Sequence, residues 1–256
     1  MLEVTGLSKH FGGVQALQDV TFSIAAGEVA GLIGPNGAGK TTCFNVIAGA
    51  LSPSSGTVRF RGGQITGWSA DRISHLGLGR TFQNIAIFPE LTVWDNVYAA
   101  ALTHMRSGYL AGIAGLSHVR REQRALEDRV WTTLELVGLS GDGHLMSSQL
   151  PYGHQRRLEI ARALVTSPQL VLLDEPTAGM NAQETANVMD LIRMLRGEHT
   201  FLVIEHDMRV VMGICDHIIV LDNGRKIADG SPSQVQQDEG VIKAYLGGEL
   251  IDEPVG

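Results

Sequence analysis

The segment Gly34-Pro-Asn-Gly-Ala-Gly-Lys40-Thr41-Thr42 constrains this chain more than any other. It fits the phosphate-binding pattern G-x-x-x-x-G-K-[ST], and it lies in the surroundings that pattern needs. Upstream, Val29-Ala-Gly-Leu-Ile is a continuous apolar run, as a strand covered on both faces requires. Downstream, Lys40 to about Ala48 reads as a helix, closed by Gly49 and the breakers Ser52-Pro-Ser-Ser-Gly56. Between strand and helix, Gly34, Pro35, Asn36, Gly37, Ala38 and Gly39 let the backbone curl so that its N–H groups surround a phosphate, and the helix start adds its positive dipole end. Lys40 would then bridge a β- and a γ-phosphate, the Thr41 hydroxyl would ligate Mg²⁺, and Thr42 completes the phosphate-binding turn. The implied ligand is a nucleoside triphosphate.

The flanking sequence alternates between strands and helices. Leu2-Glu-Val-Thr and Val20-Thr-Phe-Ser-Ile read as half-buried antiparallel strands, and Thr57-Val-Arg-Phe as another. A further short strand is expected just before Gln83. From about Asn84 to Thr166 the pattern is helical. Thr92 can cap a helix with Val93, Val97 and Ala101 on one stripe, His118 to Val137 ends at Gly138, and Gly153 to Val165 forms a third helix. Ser107 to Gly115, rich in glycine and small apolar residues, reads as a flexible insertion. After Pro168 the alternation returns: strand Leu170-Val-Leu-Leu, helix Ala182 to Arg196, strand Phe201-Leu-Val-Ile. Then come two strands around Asn223-Gly224, a strong hairpin signal, two short helices and an acidic tail. The plan is an α/β core, residues 1–83 and 167–256, with an inserted helical block at 84–166.

Other residues at strand ends can complete the chemistry. Asp174 closes the run Leu170–Leu173 and can hold Mg²⁺, while Glu175 can polarise an attacking water as general base. Gln83 follows Gly79-Arg-Thr-Phe and can reach the metal or the water. His206 follows Phe201-Leu-Val-Ile-Glu and comes within reach of a γ-phosphate if the strands are neighbours. Phe11, before Gly12-Gly13, can stack on a base, although alone it reads as a core residue. Trp68, Trp94 and Trp131 read as packing residues, Cys43 as core, and the mixed-sign run Arg120 to Arg129 as a solvated helix face.

Taken in order, Phe11, the phosphate loop, Gln83, the helical block, Leu150-Pro-Tyr-Gly-His-Gln155, Asp174-Glu175 and His206 resemble the ATP-binding subunits of ABC transporters over nearly the whole chain. Arg80-Thr-Phe-Gln-Asn84, Tyr152-Gly-His-Gln-Arg-Arg-Leu-Glu-Ile160, Glu205-His-Asp-Met208 and Ala244-Tyr-Leu-Gly-Gly248, with the insertion near Ser107 to Ser117, look like the branched-chain amino-acid importer subfamily. The resemblance implies a P-loop ATPase core with an N-terminal antiparallel β part. Its bound species would be ATP and Mg²⁺, with Thr41, Gln83 and Asp174 at the metal and His206 on the γ-phosphate. Tyr152, Gly153 and His154 of the signature segment would cap the γ-phosphate held by a second ATPase subunit. It also implies separate transmembrane permease subunits, docked between Gln83 and the helix beginning near Thr92. An extracytoplasmic solute-binding protein would act indirectly, and the chain would sit on the cytoplasmic face of the membrane. An ATPase of a lipid or polysaccharide exporter is an alternative, as is a soluble ABC-type ATPase acting on nucleic acid, ribosomes or cofactor assembly.

Composition weighs against the soluble rival. Lys plus Arg total 20 against 27 Asp plus Glu, a net charge of −7, so no overall basic field attracts nucleic acid. No run approaches 18 apolar residues, the N-terminus lacks the blocks of a signal peptide, and the two cysteines suit a reducing compartment. Two positions depart from the family pattern. Its usual signature serine is Pro151 here, which donates no hydrogen bond, and its usual aspartate after the second catalytic strand is Asn181, which carries no charge. Gly153 N–H and the helix dipole remain at the signature. Pro151→Ser is therefore expected to tighten ATP binding in the closed dimer, and unchanged or poorer nucleotide-induced dimerisation contradicts that expectation.

Overall fold

Val29–Ile33 (β3), Leu170–Asp174 (β7) and Thr200–Ile204 (β8) are buried along their whole length. A parallel sheet covered on both faces imposes that requirement. A computed structural model describes residues 1–81, 85–103 and 117–249. Gln83, the expected insertion at 107–115 and the tail beyond Glu249 lie outside the described residues.

With Leu78–Arg80 (β6), His217–Asp222 (β9) and Arg225–Gly230 (β10), these strands form one six-stranded sheet of order β10-β9-β3-β8-β7-β6. The register pairs Leu32 with Ile204 and Ile204 with Asp174, so the carboxyl ends of β3, β8 and β7 finish level. Side chains alternate between two cores. Leu32, Leu172, Leu202 and Ile219 face one of them, while Val29, Leu173, Phe201 and Val203 face the other.

The first core is closed by a second sheet of order β2-β1-β4-β5, built from Leu2–Phe11 (β1), Val14–Ile24 (β2), Ser55–Phe60 (β4) and Gly63–Gln64 (β5). Its pairs Val4–Phe22 and Val4–Val58 are antiparallel, as the alternation Leu2-Glu-Val-Thr predicts. Lys40–Ile47 (α1) packs Cys43, Phe44 and Ile47 into the same core, and Ala70–His75 (α2) adds Ile73. β1 runs six residues beyond Thr5, where the alternation stops, because its pairing with β2 continues through register shifts as far as Phe11–Val14.

The second core joins the sheet to the helices. Thr92 caps Val93–Leu102 (α3) by accepting the Asp95 N–H at 3.0 Å, and Val93, Val97 and Ala101 are fully buried. Ser117–Leu136 (α4) buries Leu126, Val130 and Leu134, and it stops before Gly138, whose φ is +68°. Arg120, Arg121, Arg124 and Arg129 stay exposed, as expected of a solvated face. Tyr152–Leu164 (α5), Ala182–Leu195 (α6) and Met208–Ile214 (α7) complete this layer, with Val188, Ile192 and Leu195 inward on α6. Asn223 and Gly224 take φ of +46° and +77° between β9 and β10, the backbone that a two-residue primed turn demands. Pro232–Gln237 (α8) and Glu239–Glu249 (α9) follow.

Cys43 and Cys215 are free and buried, and burial pushes both thiols up to about 12. Trp94 stacks on Tyr98 with ring centres 4.6 Å apart. Trp131 is half-exposed beside it. Among the described residues, no helix is long and apolar enough to cross a membrane. Because Phe201 is fully buried on the helical side of the sheet, Phe201→Ala is expected to cost about 3–5 kcal/mol in urea unfolding. A loss below about 1 kcal/mol would mean that this layer is not a packed core.

Candidate nucleotide-binding site

Helix α1 begins in an unusual electrostatic state. Its N-cap is Gly39, with φ +99° and no side chain to cap, its first turn contains no acid, and its first residue is a lysine. Four backbone N–H groups are left without helical partners at such an end, and a cation there opposes the helix dipole. An anion resolves both problems at once. Lys40 Nζ folds back over the loop, donating to Gly34 O at 2.7 Å and Pro35 O at 3.0 Å. Burial lowers its pKa from the usual lysine value, and the charges of Glu175 and Asp174 pull the other way. A groove of about 600 Å³ opens over this turn, lined by Asn36, Lys40, Thr41 and Thr42 with Glu175 and Asn223 among others.

The level strand ends bring the second set of residues to the same edge of the sheet. Asp174, 2% exposed, ends β7 two strands from β3, and its N–H donates to Thr81 Oγ1 at 3.2 Å. Burial raises the pKa of its carboxyl, while the Arg80 guanidinium draws it down. Arg80 is itself held by a 2.6 Å bond to Asn45 Oδ1 and lies 5.3 Å from the centre of the Phe44 ring. Arg80 and Thr81 were not expected as site residues. In the sequence they open the run Arg80-Thr-Phe-Gln-Asn84 that carries the subfamily resemblance, but nothing in that run marks them as neighbours of Asp174. Glu175 follows with φ +48°, left-handed for a residue that has a Cβ, a conformation that costs on the order of 1–3 kcal/mol and persists only where its surroundings offset that cost.

The other expected residues fall elsewhere. His206 does follow β8, between β3 and β7, so its strand is a neighbour as the sequence reading required. Its side chain is 65% exposed and lines a separate groove of about 420 Å³ between α6 and α7, with Gly179 and Asp207. Phe11 is not a core residue: it ends β1 at the hairpin tip, 46% exposed, with Lys9 Nζ 5.0 Å from its ring centre. Nor does it line the groove over the phosphate loop.

The signature segment does not line the groove over its own chain's loop either. Pro151 occupies the N-cap of α5 with no capping side chain, and its carbonyl accepts the His154 and Gln155 N–H groups. Gly153 lies so close to α6 that a Cβ there would come 2.5 Å from Glu184 Oε1. The Tyr152 ring packs on Gly179, and His154 Nδ1 is 2.9 Å from Asp142 Oδ2. Asn181 serves as the N-cap of α6: its Oδ1 accepts the Glu184 N–H at 3.0 Å, and Glu184 Oε2 accepts the Asn181 N–H at 3.0 Å. A neutral side chain performs that reciprocal cap fully.

Comparison with known proteins agrees with this geometry. The family model described as ABC transporter matches residues 17–178, and that of the branched-chain amino acid ATP-binding cassette transporter matches 225–250. The chain is 43% identical, over 249 residues, to the high-affinity branched-chain amino acid transport ATP-binding protein BraF of Pseudomonas aeruginosa, covering 96% of this chain and 98% of that one. Among solved structures, the ADP conformation of MJ1267, an ATP-binding cassette of an ABC transporter, superposes with a TM-score of 0.84 at 31% identity, over 96% of this chain and 98% of the other. A dimeric post-hydrolysis state of the cassette MJ0796, bound to ADP and Pi, gives 0.76 at 26% identity, over 91% and 99%.

Two loop glycines separate backbone strain from steric conflict. A Cβ at Gly39 would meet Ala16 O at 2.5 Å, whereas one at Gly37 would meet nothing within 4 Å, although both have positive φ. Gly37→Ala is expected to cost about 1–2 kcal/mol in thermal unfolding, and Gly39→Ala clearly more. The reverse order would mean that the loop does not press on β2 as described.

Proposed function

From the premise that this chain belongs to the ABC transporter family, we propose that it is the ATP-hydrolysing subunit of an importer for branched-chain or related amino acids. It binds nucleotide and is an ATPase of the ABC type. The observation that carries the reading is the uncapped start of α1, with Lys40 folded over a groove that also holds Glu175. The match of residues 225–250 to a branched-chain amino acid transporter model supports import of that solute class over lipid or polysaccharide export.

In this reading the N–H groups of the loop from Gly34 to Thr42 and the Lys40 ammonium grip the β- and γ-phosphates of ATP, and Phe11 stacks on the adenine. Glu175 accepts a proton from the water that attacks the γ-phosphorus, so that ADP and phosphate leave. His206 contacts the γ-phosphate. The Thr41 hydroxyl and the buried Asp174 carboxylate are hard oxygen donors suited to Mg²⁺, which when bound neutralises charge on the phosphate oxygens. Gln83 joins them by resemblance alone.

Tyr152, Gly153 and His154 do not line the groove over their own chain's phosphate loop, which fits a role at the loop of a second ATPase subunit. The dimeric MJ0796 structure supports that arrangement. Closure on ATP and opening after hydrolysis would move the helical block, residues 84–166, against the core formed by 1–83 and 167–256. Transmembrane permease subunits would take up that motion from the cytoplasmic face of the membrane, with a solute-binding protein acting on the far side. A groove of about 490 Å³ between α2, α3 and α5, with Ala70, Leu78, Phe88 and Ala100 in its wall, is the proposed seat for a permease segment. Lys40→Ala is expected to abolish ATP binding. Glu175→Gln is expected to keep binding, to lower hydrolysis at least about a hundredfold and to accumulate an ATP-bound dimer. Turnover at the normal rate in Glu175→Gln, measured by phosphate release, would remove the general-base assignment.

A further inference from the structure

Glu205 is 1% exposed, and among the described residues no lysine or arginine forms an ion pair with it. His206 Nδ1 lies 4.0 Å from its Oε2, and a carboxyl so buried also needs hydrogen-bond donors around it, which here come from two places. Its Oε1 accepts both the hydroxyl of Thr177 at 2.7 Å and the Thr177 N–H at 3.0 Å. Its Oε2 accepts the His206 N–H at 3.3 Å. One step back along β8, Ile204 O accepts the Glu175 N–H at 2.9 Å, and Ala178 N–H closes the turn onto Glu175 O at 3.2 Å. The turn from Glu175 to Ala178 is thus tied to the end of β8 at two points, one through the backbone and one through Glu205. Glu175 keeps its left-handed φ of +48° inside that tie. Such a conformation persists in a non-glycine residue only where its neighbours impose it.

We infer that Glu205 is a positioning residue for hydrolysis: its carboxyl clamps the turn that aims Glu175 and sets the backbone of His206 in the same register. The inference rests on the roles proposed above for Glu175 and His206. Glu205 touches neither phosphate nor water in this role. It couples the two groups that do, so its loss misaims the base while leaving the phosphate grip of Lys40 intact. An arrangement accurate to less than an ångström is what such catalysis needs.

The test uses the full-length protein and reads kcat and KM for ATP together with the Tm. Glu205→Ala is expected to lower kcat about tenfold to a hundredfold, with KM kept within about threefold. Glu205→Gln, whose amide oxygen still accepts from Thr177 while its NH2 can no longer accept the His206 N–H, is expected to restore part of the rate. Thr177→Val deletes one donor at nearly constant shape and is expected to lower kcat by a smaller factor. Combined with Glu205→Ala, it should add no further loss. A folded Glu205→Ala protein with normal kcat overturns the inference, as does one whose KM rises in step with the loss of kcat. If Glu205→Ala does not fold, Thr177→Val decides, and normal kcat in that variant overturns the inference. Glu175→Gln measured alongside keeps the two readings apart. Normal turnover there removes the general base itself, whereas a dead Glu175→Gln beside an unimpaired Glu205→Ala removes only the positioning role.

Discussion

The amino end of α1 is the constraint on which the rest of this structure depends. A helix that starts at a capless glycine, with a lysine as its first residue and no acid in its first turn, is incomplete without an anion. Everything around it serves to present that end. The fully buried strand β3 fixes where the turn begins, Ala16 on β2 presses against Gly39, and the Asn223-Gly224 turn closes the rim. Burial holds Lys40 below the usual lysine pKa, so the site carries part of the electrostatic cost that a bound triphosphate relieves.

The six-stranded sheet brings further polar residues to the same edge as that local feature. Because Leu32, Ile204 and Asp174 finish on one level, the loop after β3, the acids after β7 and the histidine after β8 emerge together. Ligands gather at the carboxyl ends of parallel strands for this reason. The two cores place different demands on the same strands: one locks them to the antiparallel sheet and α1, and the other locks them to the helical layer. The helical layer is packed on the same strands, β7 and β8, that Glu175 and His206 follow.

Much of this was legible in the sequence, because burial on two faces and helical periodicity are local signals. Val29–Ile33 reads as the buried strand it is, Thr92 reads as the cap it is, and Asn223-Gly224 forms the hairpin it signals. What escaped was decided by tertiary partners. β1 continues past its alternating stretch because β2 offers pairing, not because of its own pattern. Phe11, alone a plausible core residue, sits exposed because the β1–β2 tip projects beyond the sheet. Thr81 lies 93 residues from the Asp174 N–H that it accepts, and Glu205 lies 28 residues from Thr177, so no spacing rule brings either pair together. Asn181 was read through its missing charge, yet its structural task is to cap α6.

The most direct test of the phosphate grip is thermal stability of the full chain with ATP, ADP or adenosine added. A ligand held at a hundred times its Kd stabilises the folded state by about 2.7 kcal/mol. If binding is led by the uncapped helix and Lys40, ATP and ADP raise the Tm and adenosine does not at the same concentration. Adenosine stabilising the chain as well as ATP would mean that the base, not the phosphates, is what the site holds, and the role assigned to the start of α1 would be wrong.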